Sequence, residues 1–98
     1  MNAQEFHQQA SSATDSLYTL ADFTRCTESL LFDCPNSSAL ERYRAAWFEL
    51  EIVNAAALAE WEADGRPKKW DEKWEQIFKG EAIAVIDQML KVAEEMWT

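Results

Sequence analysis

Few side chains in this sequence are of a type and spacing that could do chemistry. There is one histidine, His7, and there are two cysteines, Cys26 and Cys34, eight positions apart. A zinc half-site places its cysteines about two to four residues apart and needs further ligands, and neither condition is met here. The one Asp-Gly step, Asp64-Gly65, lacks the frame of a calcium-binding loop. His7 and Cys26 would form a nucleophile and base only if they met. On one continuous helix their nineteen-residue separation spans roughly 28 Å. Acidic pairs are expected on any surface this rich in carboxylates, so none of them marks a catalytic dyad. No enzyme activity, metal or cofactor is expected.

The carboxylates are the more informative group. Eighteen Asp and Glu stand against nine Lys and Arg, a net charge of −9. The excess is concentrated in the first two thirds of the chain, and the last third is close to neutral. Such a protein is repelled by nucleic acid phosphates and anionic membranes, and is attracted to a basic protein. At about 100° per residue, Glu49, Glu60 and Asp64 share one flank of a helix, while Glu51 and Glu62 share another. Asp15 and Asp22, seven apart, fall together on a preceding helix. These seven residues are the candidate acidic contacts for a partner.

The elements that must position them are helical. Of 98 residues, 48 % are hydrophobic, and glycine and proline contribute two each. A sandwich or barrel needs a turn about every ten residues, and dinucleotide and P-loop folds need glycines this chain lacks. Apolar residues recur at alternating steps of four and three through three segments, expected as helices at about 3–32, 39–63 and 71–97. Asn2 and Glu5 resemble a capping box at the first start, and Ser38 with Glu41 does so at the second. The stretch from Gln8 to Thr14 is weakly apolar, a place where the first helix frays or breaks. Gly65 suits the position just past the second helix, with Pro67 beyond it. Asp71 is placed to cap the third helix, which is expected to continue through Gly80. The expected fold is a single all-α domain over residues 1–98, an antiparallel three-helix bundle, or a four-helix one if the first segment breaks.

The second helix carries an anomaly. Its inner stripe is Leu40, Tyr43, Trp47, Leu50, Asn54, Ala57 and Trp61, yet Ala45, Phe48, Ile52, Ala55, Ala56 and Ala59 gather on the opposite side. A helix that is apolar all round is normally buried all round. Either this helix is central, or Phe48 and Ile52 meet a partner or a second copy of the chain. Trp70 and Trp74 are expected to lid one end of the bundle, and Arg66, Lys68, Lys69 and Lys73 to pair with the acidic end of the second helix. Asn54 is expected to fix register through hydrogen bonds, and Trp97 has no evident packing role.

Residues 1–10 have neither the basic nor the apolar region of a secretory signal, and no apolar run reaches the ~18 residues of a membrane span. Cys26 and Cys34 are therefore expected as reduced thiols in a cytoplasmic protein. In size, acidity and lack of catalytic groups the chain is like many small proteins that work by occupying another protein. The leading expectation is an inhibitor that covers the basic nucleic-acid-binding surface of a target such as a CRISPR effector, its carboxylates standing in for phosphates. It would act in the cytoplasm of a bacterial host if phage-encoded. The alternatives are an antitoxin or immunity protein that neutralises a basic toxin, a homodimeric adaptor, and a secretion chaperone.

Overall fold

The computed structural model describes residues 2–30 and 37–96, and every regular element among them is helical. Helix α1 spans Ala3–Ser12, α2 Leu17–Thr27 and α3 Ser37–Ala63. Helix α4 is one continuous rod with three parts: an α-turn at Asp71–Lys73, a π-helical stretch at Trp74–Phe78 and an α-helical part at Lys79–Met96. Cys34 and Trp97, with the expectations attached to them, lie outside the described residues.

The first segment, expected as one helix over 3–32 or as two if its weakly apolar stretch breaks, forms two helices among the described residues. Ser16 is extended (φ −159°, ψ 170°) and its hydroxyl accepts the Thr19 N–H at 3.3 Å. The Thr19 hydroxyl accepts the Ser16 N–H at 2.9 Å, closing a capping box. The same Thr19 hydroxyl donates to the Ala13 carbonyl at 3.0 Å, tying the end of α1 to the start of α2. The four-three stripe survives the break: Ala10, Ala13, Leu17 and Leu20 are all buried. Periodicity alone therefore could not reveal the turn.

Side-chain contacts at both ends fix the helix directions. Phe6 of α1 lies against Phe23 near the end of α2 and Tyr43 near the start of α3. Tyr18 at the start of α2 meets Trp61 at the end of α3. Arg42 pairs with Glu95, and Lys73 with Glu60 and Asp64, so α3 and α4 run antiparallel. Trp74 at the start of α4 bonds to Thr14 just past α1. The result is an up-down-up-down four-helix bundle in which the short α1 and α2 pack on the long α3–α4 pair.

One hydrophobic cluster runs through the bundle, with Phe6, Leu20, Tyr43, Leu50, Trp74 and Met89 fully enclosed. Two aromatic side chains also satisfy a helix end. The last turn of α2 leaves carbonyls without intrahelical donors. The Tyr43 hydroxyl donates to the Thr27 carbonyl at 2.8 Å, and the Trp47 indole to the Thr24 carbonyl at 3.1 Å.

Helix α3 ends in a Schellman motif: Gly65 N–H bonds to the Glu62 carbonyl and Arg66 N–H to the Trp61 carbonyl. Gly65 takes φ 89°, the left-handed geometry expected of it. Helix α3 as described spans Ser37–Ala63, so Ser38 lies within it. Trp70, just before α4, and Trp74, Phe78 and Ala82 within it are all buried although they repeat at every fourth residue. In an α-helix that spacing drifts by about 40° per step. The wider π-turn absorbs the drift and keeps all four pointing inward. Trp70 and Phe78 stack there with centroids 5.7 Å apart.

Candidate protein-interaction surface

The outer side of α3 is open. Phe48 is 51 % and Ile52 68 % exposed, and Ala45, Ala55, Ala56 and Ala59 are exposed with them. The central-helix alternative is thereby ruled out: α3 occupies a corner of the bundle, and its second apolar stripe faces outward. On the α4 side of this ridge lies a groove floored by Ile52, Val53, Ala84 and Val85, with Glu49 and Glu81 at its edges. Neither carboxylate forms an ion pair with the described residues.

The other candidate acids are placed differently. Lys73 Nζ sits 2.8 Å from Asp64 and 3.4 Å from Glu60, so one ammonium serves both of the carboxylates expected to act with Glu49. Asp64 is held below the ordinary carboxylate range by Lys73 and by the Trp70 indole, which donates to it at 2.9 Å. Its main partner, Lys73, is raised in turn. Glu62 lies 3.8 Å from Arg66, while half-buried Glu51 forms no ion pair. The expected pairing of the basic cluster with the end of α3 thus holds for Arg66 and Lys73. Asp15 and Asp22 do not share a helical face, because Asp15 falls in the turn between α1 and α2. Asp22 pairs with Arg25 at 3.1 Å.

The break in the first helix also removes the geometric reason for separating His7 from Cys26, yet they remain apart. His7 lines a groove between α1 and α4, whereas Cys26, an exposed free thiol, lines one on the α2 flank of α1. No group of metal-ligating side chains converges among the described residues. Buried Asn54 does not make the expected register bond through its oxygen: Oδ1 accepts no hydrogen bond from the described residues. No described helix is long and apolar enough to cross a membrane.

Sequence reasoning missed Glu81. It is six positions from the nearest acids in the chain, Glu75 and Asp87, and its neighbour Glu49 comes from another helix. Only the antiparallel register of α3 and α4 brings them to one groove. No protein-family model matches this chain, and no curated protein or solved structure is detectably similar to it.

Proposed function

We propose that this protein acts by occupying another protein, as an inhibitor that covers the basic nucleic-acid-binding surface of a target such as a CRISPR effector. The observation that carries the reading is the groove between α3 and α4, where Glu49 and Glu81, neither in an ion pair with the described residues, edge an exposed apolar floor. An arginine or lysine suits such a groove: its aliphatic stem lies on Ile52 and Ala84 while its cation meets a carboxylate. The net charge of −9 adds long-range attraction, which speeds encounter and weakens with salt. On this reading the protein works in the cytoplasm beside its target, in a bacterial host if phage-encoded, and catalyses nothing.

The test uses two charge-reversed variants against purified effector complexes. E49K with E81K changes the groove and breaks no ion pair. E60K with D64K makes the same change in charge beside Lys73. The first is expected to slow association and release the effector's nucleic acid binding, with the loss shrinking as salt rises. Equal binding and inhibition by the groove variant and the wild type would reject the reading.

A further inference from the structure

The side-chain ties between helices are unevenly distributed. Helices α2 and α3 share two buried hydrogen bonds, Tyr43 to Thr27 and Trp47 to Thr24, and the Tyr18–Trp61 ring contact. Helices α3 and α4 are joined at one end by Arg42 with Glu95 and at the other by Lys73 with Glu60 and Asp64. Among the described residues, no side-chain hydrogen bond or ion pair reaches from α1 to another helix. Asn2 accepts the Glu5 N–H, and the Ser11 and Ser12 hydroxyls bond back to the Gln8 and Gln9 carbonyls, all within α1 or its own cap.

Seven of the ten residues of α1 are exposed, and its buried residues are Phe6 and Ala10. Ala10 brings a single methyl group to the core. Phe6 is the bulky anchor: it is fully enclosed, with its ring 5.6 Å from that of Phe23 and 6.4 Å from that of Tyr43.

The chain beyond α1 is held without it. Helix α2 has its own capping box in Ser16 and Thr19. The Ala13 carbonyl is bonded by Thr19 and the Thr14 carbonyl by Trp74. Both bonds fix residues just past the end of α1, so residues 13–16 form a pinned hinge.

We propose that α1 is a latch that opens as one unit about residues 13–16 while α2, α3 and α4 stay folded. A ten-residue helix does not persist alone in water, so withdrawal of Phe6 melts α1 as it leaves and makes the opening all-or-none. An element with few buried apolar contacts opens at a lower free energy than the whole chain unfolds. The open form presents Phe23 and Tyr43, which are buried when α1 is closed, together with Ile86 and Leu90 of α4, which line the groove beside α1. The inference concerns α1 and its hinge and does not rest on the α3–α4 groove or its target.

Native-state amide hydrogen exchange of the full chain, followed by NMR in rising urea below the unfolding transition, tests the latch. The amides of Phe6 to Ser12 should exchange on the order of a hundredfold faster than the slowest amides of α3. They should converge on one opening, with a shallower urea dependence than that of the whole chain because less surface is exposed. Trp61→Ala gives a second reading. It removes the ring contact with Tyr18 and the hydrogen bond to the Pro67 carbonyl, both of which the open form keeps. The slow α3 amides should therefore exchange about tenfold faster in the variant, while the α1 amides keep their wild-type rates. Exchange of α1 and α3 through one common opening, or equal acceleration of both by Trp61→Ala, would show that α1 opens only with the whole chain and would overturn the proposal. Rates graded along α1, each amide with its own opening, would overturn it equally by reducing the motion to fraying of a helix end.

Discussion

The indole of Trp74 donates a 2.9 Å hydrogen bond to the carbonyl oxygen of Thr14, sixty positions earlier in the chain. It joins the first residue of the π-stretch to the turn between α1 and α2, and so holds the short helix pair against the long one. Trp74→Phe should lower unfolding stability by about 2–4 kcal/mol, from the cavity left by the smaller ring and the carbonyl left without a donor. Urea denaturation followed by circular dichroism reads the loss.

The turn itself depends on Ser16 and Thr19. Ser16→Ala removes the acceptor for the Thr19 N–H and should cost about 1 kcal/mol. Thr19→Val removes the reciprocal acceptor and the bond to Ala13, and should cost at least as much. Amide hydrogen exchange should quicken first in the opening turn of α2 in both variants. Protection there equal to the wild type would show that core packing, not the cap, holds the turn.

Much of this architecture was legible from spacing, and the exceptions have physical causes. The all-α class, the Gly65 stop and the inner stripe of α3 follow from apolar period and local backbone chemistry. The break after Ser12 was legible only as a weakly apolar stretch over Gln8 to Thr14; its place was hidden because Ala13 and Leu17 continue the stripe across it, and because Thr19 replaces the usual Glu or Gln of a capping box. The outward placement of Phe48 and Ile52 could be posed from sequence as a choice but not decided, since it depends on where α3 sits among its neighbours. The Glu49–Glu81 groove and the capture of Asp64 by Lys73 depend on register between helices, which no single-helix pattern encodes.

Asn54 offers a gain in stability. It is 8 % exposed, and its Oδ1 is buried without a hydrogen bond from the described residues. Asn54→Leu is nearly isosteric and removes an acceptor whose desolvation costs about 1–3 kcal/mol. The melting temperature should rise. A fall would show that the amide contributes a bond worth more than the burial of a leucine.

Stability should be highest near neutral pH and fall on both sides. Asp64 and Glu95 are lowered in the folded protein, by Lys73 and Arg42 respectively. Their contribution is present above the ordinary carboxylate values and is lost as acid protonates them below those values. Tyr43 is raised by burial, and Lys73 and Arg42 are raised by their carboxylate partners. Their contribution is present below the ordinary values and is lost as pH rises through the folded ones. Tyr43→Phe should lower stability at neutral pH, through loss of the bond to Thr27, but flatten the alkaline limb. Melting temperatures from acid to alkaline pH test both signs, and an unchanged alkaline slope in the variant would assign that limb to the cations.

The π-stretch also bears on chain length. A π-turn closes its hydrogen bond over one residue more than an α-turn. Removing one residue between Trp74 and Phe78, such as Gln76, would leave steps of three and four from Trp74 to Ala82, the ordinary α-helical rhythm. The helix can therefore lose a codon here and keep the same aromatic residues facing inward on both sides. A chain one residue shorter at this point would keep Trp74, Phe78 and Ala82 facing the same core.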